Sequence, residues 1–157
     1  MHKLHRSMIG HGLIILLIGM ILGIGLLASL LGGMEIIPGS IIPFDVPGDP
    51  AAWVRAHIGA MLNGMLIILI AVLIIVLKLS IRMAGHLRWM LVGTGYANTL
   101  FYLVSMLAPN RALSFADNHF GEANIFSVVG LVPTLIFVVV SIVAVLMLIY
   151  SVFSAKD

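Results

Sequence analysis

Several residue types that carry chemistry in other proteins are absent or rare in this 157-residue chain. It has no cysteine, which excludes disulfides, thiolate metal sites, iron–sulfur clusters and cysteine nucleophiles. Charged residues make up only 9% of the sequence, and none lies near the middle of an apolar segment. An ion-coupled carrier would therefore lack its usual intramembrane carboxylate. The net charge of +2 is too small to indicate a nucleic-acid partner, and neither a phosphate-binding loop nor an HExxH motif is present.

Apolar residues, in contrast, are abundant: 62% of the chain is hydrophobic and its mean hydropathy is +1.23. A soluble domain of this length has too little interior to bury so much apolar surface. A helix needs about 20 apolar residues to cross the hydrocarbon core of a bilayer, and four segments are long enough: residues 13–31, 57–79, 87–107 and 125–153. The first is long for a signal peptide. The sequence thus predicts an all-α integral membrane protein, residues 1–157 forming a single domain with four transmembrane helices.

The charged residues indicate how these helices are oriented. Most basic residues flank one side of the predicted bundle: Lys3, Arg6, Lys78, Arg82, Arg88 and Lys156. Arg55 and Arg111 lie on the other side, together with five of the six acidic residues. Because basic residues are enriched in cytoplasmic loops, we expect both termini in the cytoplasm.

The two connections on the outer side, residues 32–56 and 108–124, are long and contain five of the six prolines. Proline and other turn-forming residues interrupt helices, so we expect structured caps here rather than helices. The remaining proline, Pro133, lies inside the fourth predicted span, where a kink is expected.

Polar residues inside a membrane span are costly and are therefore candidate functional residues. In the third span they recur at helical spacing: Thr94, Asn98, Tyr102 and Ser105. This spacing places them on one helical face, directed into the bundle or toward a neighbouring chain. Hydrogen bonding between helices, with no ligand, explains Thr94 and Ser105 equally well, but Tyr102 less so because it lies near the outer loops.

The second span contains His57 and Asn63, which are about 240° apart around a helix and so do not share a face. Small neighbours leave space for a bulky ligand or for close helix contact: Ala56, Gly59, Ala60 and Gly64. From the residues alone, a buried histidine whose ring is hydrogen-bonded to a backbone carbonyl is the simpler interpretation of His57.

The other histidines do not offer His57 a partner at the same depth. We expect His2, His5 and His86 at the membrane interface, His11 at the cytoplasmic start of the first span, and His119 in the outer loop. A haem held between two histidines is therefore not indicated. If a metal or a haem is bound, His57 is the best single ligand, with the opposite coordination position left open.

The loops and helix ends also carry a recognisable pattern. The segments that carry it are GGMEIIPGSII and VPGDP, the helix start WVRAHIGAMLNG, FYLVSMLAPNRALSF, and NHFG followed by IFS. In order, spacing and total length the chain resembles the membrane-bound styrene oxide isomerase family. The motif-bearing similarity covers roughly residues 32–65 and 95–128, and Met34 and Ala60 depart from the family pattern.

This resemblance implies a homotrimer in the bacterial inner membrane, with haem b near the subunit interfaces. It implies conversion of aryl epoxides such as styrene oxide to aldehydes such as phenylacetaldehyde, the Meinwald rearrangement. By position, His57 would be the axial ligand of the haem iron, and Asn63 and Tyr102 would face its open side. Ferric haem would act as the Lewis acid while an apolar, bilayer-embedded site excludes water.

Two other classes of function remain open on the sequence. One is a non-catalytic haem-binding or electron-transfer membrane subunit, against which the lack of a second matched histidine argues. The other is a small transporter or structural assembly subunit without a cofactor, whose ion-coupled form the missing intramembrane carboxylate disfavours.

Overall fold

The computed structural model describes residues 3–154 and consists of four long helices and one short hairpin. The elements in chain order are α1 (Lys3–Leu31), β1 (Gly33–Ile37), β2 (Ser40–Pro43), α2 (Pro50–Val76), α3 (Ile81–Ser105) and α4 (Ile125–Phe153). The positions expected for His2 and Lys156 lie outside the described residues.

Within residues 3–154, three helices are long and apolar enough to cross a membrane: α1, α2 and α4. The structure therefore supports a predominantly α-helical, multi-pass membrane protein, as the composition predicted. Helix α3 has 25 residues but is less apolar than the others, because its polar residues and arginines interrupt the apolar sequence. Its crossing of the bilayer stays a prediction.

The outer connection 32–56 is not free of helix, contrary to our expectation. Its last seven residues belong to α2, which begins at Pro50. Asp49 caps this helix, since its side-chain oxygen accepts a hydrogen bond from the Ala52 backbone N–H at 2.6 Å, and proline is favoured in the first helical turn. Hydropathy detects only the apolar part of a helix, so the helix starts before the apolar segment does. For the same reason α1 and α3 begin earlier than the predicted spans.

The other departure from an all-α fold is the antiparallel pair β1–β2, which follows directly after α1. Ile37 pairs with Ser40 across the two residues Pro38 and Gly39. Gly39 has a φ of +81°, a conformation that glycine adopts without steric cost. The backbone N–H of Gly39 also donates to the Glu35 side chain at 2.5 Å, so the turn is fixed by local sequence.

Helices α1 and α2 pack with their backbones in near contact. A methyl group added to Gly12 would lie 2.9 Å from the Gly64 carbonyl oxygen, and one added to Gly64 would lie 2.7 Å from the Gly12 carbonyl oxygen. Ala56, Ala60 and Gly64 follow each other at four-residue spacing along this buried side of α2. Such small-residue faces let membrane helices approach closely, and here they bring α1 directly against His57.

The outer loop between α3 and α4 is organised around one buried side chain. Asn110 is fully buried; its amide donates to the carbonyl oxygens of Ser114 and Ala116, and its side-chain oxygen accepts from the Ala112 backbone N–H and the Ser127 hydroxyl. These bonds connect the turns of the loop to one another, and Ser127 ties the loop to the first turn of α4.

Candidate functional site

His57 lies on the side of α2 that faces α1. Its Nδ1 is 2.8 Å from the carbonyl oxygen of Gly19. A carbonyl oxygen only accepts hydrogen bonds, so Nδ1 carries a proton, and in the neutral imidazole this leaves the lone pair on Nε2. The simpler interpretation, a histidine bonded to a backbone carbonyl, is thus correct for one ring nitrogen, and within residues 3–154 the other nitrogen has no hydrogen-bond partner.

Glycines of α1 create the space that the His57 ring occupies. A methyl group built on Gly23 would lie 2.9 Å from both Cε1 and Nδ1 of His57. Gly19, one turn earlier, supplies the carbonyl acceptor and is itself packed against Met61 of α2. The orientation of the imidazole is therefore set by two glycines on a different helix, four residues apart.

Asn63 and Tyr102 lie on the other flank of α2, where it packs against α3. The Asn98 amide donates to the Asn63 side-chain oxygen at 3.2 Å, and the Asn63 amide donates to the Gly59 carbonyl oxygen at 2.8 Å. A methyl group on Gly59 would overlap the Tyr102 ring and lie 2.8 Å from its hydroxyl oxygen. These residues form what we call the α2–α3 groove: Gly59, Asn63, Asn98 and Tyr102.

The structure therefore brings Asn63 and Tyr102 together but leaves His57 apart from them. His57 and Gly59 are two residues apart, or about 200° around the helix, which is why one faces α1 and the other faces α3. The sequence prediction that His57 and Asn63 address different flanks is confirmed.

The remaining polar residues of α3 divide according to their partners. The Thr94 hydroxyl donates to the carbonyl oxygens of Met90, in its own helix, and Phe137, in α4, and the Ser105 hydroxyl donates to the Tyr102 carbonyl oxygen at 3.0 Å. Thr94 thus takes part in hydrogen bonding between helices, the alternative left open above, whereas the Ser105 bond stays within α3. Within residues 3–154 the Tyr102 hydroxyl has no hydrogen-bond partner, so it remains available to a ligand.

We expected His11 at the start of the first span, but the helix that contains it, α1, already begins at Lys3. Its Nδ1 is 3.0 Å from the Tyr96 hydroxyl oxygen, which links α1 to α3. Eight to twelve residues separate it along α1 from the glycines that contact His57, or about 12 to 18 Å. The prediction that His11 is remote from His57 is correct.

In the part of the chain that the structure describes, no three histidine, aspartate or glutamate side chains are grouped so as to hold a metal ion. Sequence reasoning missed Gly19 and Gly23, which orient the His57 ring, and the buried Asn110, which organises the outer loop. A small residue has no chemical signature of its own, so only its neighbours in space reveal its role.

Comparison with known proteins places this arrangement in context. The sequence model of the family described as styrene oxide isomerase matches residues 4–153. A curated relative from Pseudomonas fluorescens, named styrene-oxide isomerase, is 41% identical over 137 residues, which cover 87% of this chain and 81% of the relative. Both similarities extend over the helices as well as the motif-bearing loops. The chain belongs to the styrene oxide isomerase family, an isomerase family, as its loop and helix-start motifs predicted.

Proposed function

We propose that this protein is a haem-dependent isomerase that converts aryl epoxides, such as styrene oxide, to aldehydes, such as phenylacetaldehyde. Membership of the family supports the epoxide isomerisation. The single structural observation that supports the haem is the 2.8 Å hydrogen bond from His57 Nδ1 to the Gly19 carbonyl oxygen.

This bond makes His57 fit the role of an axial ligand. Histidines that bind metals commonly donate their second N–H to a backbone carbonyl, which fixes the tautomer and the direction of the free lone pair. His57 meets both conditions through Gly19, and Gly23 leaves room for the ring. A ferric haem b held through Nε2 would supply a Lewis acid for the epoxide oxygen.

The residues of the α2–α3 groove suit the rest of the chemistry. The benzylic C–O bond breaks, a hydride moves from the oxygen-bearing carbon to the benzylic carbon, and the C=O bond of the aldehyde forms, with no net loss of electrons. Tyr102 can donate a hydrogen bond to the substrate oxygen, and Asn63, whose second amide hydrogen is not used by Gly59, can do the same. Neither is a strong base, and the apolar surroundings exclude the water that would divert the reaction to a diol.

The separation of His57 from Tyr102 within one chain favours a site shared between chains. In this proposal His57 of one protomer would hold the haem, and the α2–α3 groove of its neighbour would contribute the hydrogen-bond donors for the substrate. We accordingly propose a homotrimer with haem at the subunit interfaces, four membrane crossings per chain, both termini in the cytoplasm and location in a bacterial inner membrane. The many exposed apolar side chains of α1, α2 and α4 provide surface for lipid and for neighbouring subunits.

The decisive experiment combines a spectrum with an assay. Detergent-purified protein should show a Soret band, and added styrene oxide should yield phenylacetaldehyde, measured by chromatography. His57→Ala should lose haem or activity while the assembly persists, and Tyr102→Phe should lose rate while haem is retained. Protein that cannot take up haem would refute the mechanism, and reversible reduction without epoxide turnover would indicate an electron-transfer subunit instead.

A further inference from the structure

Two adjacent cavities open at the outer end of the groove between α2 and α3. One has a volume of about 240 Å³ and lies between the start of α2, the end of α3 and the outer loop. The second, of about 160 Å³, is more apolar in character and is lined also by Phe101 and Leu113. Arg55, Ser105 and Arg111 line both cavities, so two guanidinium groups share one small volume at the outer end of the groove.

The protein supplies a counter-charge to only one of these two arginines. Arg111 pairs with Asp49 at 3.2 Å and lies over the Phe120 ring at 4.1 Å. Arg55 has no ion pair and no side-chain hydrogen bond within residues 3–154. Two cations therefore share one carboxylate, which leaves one positive charge uncompensated near the start of α2. The dipole of helix α2 is also positive at this end.

The backbone holds Arg111 in this place at a conformational cost. Its φ is +59° and that of Ala112 is +53°, values that residues other than glycine seldom adopt. The hydrogen bonds of Asn110, before them in sequence, maintain the turn. The loop thus directs the guanidinium of Arg111 toward the cavity and Asp49.

The cavities lie about one helical turn from the residues of the α2–α3 groove, since Arg55 precedes Gly59 by four residues and Ser105 follows Tyr102 by three. Arg55, Gly59 and Asn63 are four residues apart along α2 and so lie on one face, with about 6 Å of helix between each pair. Gly59 packs against Tyr102, and Asn63 bonds to Asn98. A ligand with an apolar body and a terminal anion would match a groove that is cationic at the membrane surface and uncharged below it.

From this arrangement we infer that Arg55 and Arg111 bind the oxyanion of an amphipathic ligand whose apolar body lies along the α2–α3 groove. Arginine binds carboxylates and phosphates through paired hydrogen bonds. Two ligands present this chemistry: haem, through its propionate carboxylates, and an acidic lipid, through its phosphate. The haem source rests on the proposed function, whereas the lipid source does not.

The first test pairs a change in the protein with a change in the ligand. The full-length protein is stripped of haem and titrated with haem and with haem dimethyl ester, which lacks both carboxylate charges. The wild-type protein should bind haem more tightly than the ester by about tenfold or more, and Arg55→Gln should abolish that preference. Arg82→Gln removes the same charge at the opposite end of the bundle and should leave the preference unchanged.

Arg111 needs a second variant because it also pairs with Asp49. Arg111→Lys keeps the charge and should retain part of the preference for haem over the ester, whereas Arg111→Gln should lose it. Equal loss of the preference in both Arg111 variants would indicate damage to the loop. The Arg55→Gln result then decides whether the anion site exists, since no protein group within residues 3–154 bonds to that side chain.

The lipid source is tested on the same variants by native mass spectrometry. Protein released from bilayers of phosphatidylglycerol and phosphatidylcholine should retain phosphatidylglycerol, and Arg55→Gln should lose it. If wild-type protein binds no haem but Arg55→Gln loses the acidic lipid, the proposed function fails and the anion site stands. If Arg55→Gln matches the wild-type protein in both the haem comparison and lipid retention, the site is refuted.

Discussion

The contact between Gly23 of α1 and the His57 ring gives the most discriminating prediction. In Gly23→Ala the new methyl group would lie 2.9 Å from both Cε1 and Nδ1 of the imidazole, far inside the usual contact distance of about 3.5–4.0 Å. The neighbouring atoms belong to a side chain rather than to backbone. The ring is therefore expected to move while the two helices stay in place, and its hydrogen bond to Gly19 is the interaction that suffers.

The expected size follows from two opposing effects. Overpacking a well-packed site costs typically about 1–3 kcal/mol, whereas alanine in place of glycine inside a helix gains about 0.5–1 kcal/mol. Gly10 lies on the same helix as Gly23, and a methyl group there would meet nothing within 4 Å. Gly10→Ala therefore isolates the second effect. The free energy of unfolding of Gly23→Ala should thus fall below that of Gly10→Ala by about 1–3 kcal/mol.

If His57 binds the haem iron, the same substitution should weaken haem binding. Loss of the group that orients a metal-binding histidine commonly costs about 10- to 100-fold in metal affinity. The assay is transfer of haem from the purified protein to an excess of a haem-free acceptor, followed in the Soret region, with unfolding measured in the same detergent. Haem release and stability equal to those of Gly10→Ala would refute the idea that α1 orients His57.

Three further experiments test the groove and the outer cap. Gly59→Ala should displace the Tyr102 ring and reduce the rate of epoxide isomerisation by about 10- to 100-fold, as measured by aldehyde production, with haem retained. Asn98→Leu combined with Asn63→Leu should give a coupling free energy of about 0.5–1.5 kcal/mol in a double-mutant cycle of unfolding, the range seen for hydrogen bonds between membrane helices. Asn110→Ala should lower the free energy of unfolding by about 2–4 kcal/mol, because it leaves several buried polar groups without partners.

Each of these has an outcome that contradicts it. Gly85→Ala, whose methyl group would only touch Leu4 at 3.9 Å, is the matched control for Gly59→Ala, and equal activity in the two would separate Tyr102 from the reaction. A coupling energy of zero would show that the bond between the two asparagines contributes nothing to stability. A melting temperature unchanged in Asn110→Ala would mean that the outer loop is held by other contacts.

The helices were predictable because hydropathy reports how a segment partitions between water and lipid, residue by residue. Their first turns were not, since α2 starts at Pro50 through a cap formed by Asp49, and capping depends on a few local hydrogen bonds rather than on apolar content. The hairpin β1–β2 was missed for a related reason. Its strands are five and four residues long, too short for a periodic pattern to stand out from the turn-forming residues around it.

By itself, the sequence determined the membrane class, the long helices, the separation of His57 from Asn63 around α2 and, through its motifs, the family. These follow from transfer free energies, from 100° per residue in a helix, and from local residue order. Only the tertiary structure decided that Gly19 and Gly23 orient the His57 ring, that Gly59 receives Tyr102, and that Arg55 and Arg111 share one cavity. Each of these depends on which chain segments pack together and at what depth. Such contacts are set by residues on two segments at once, so neither segment reveals them by itself.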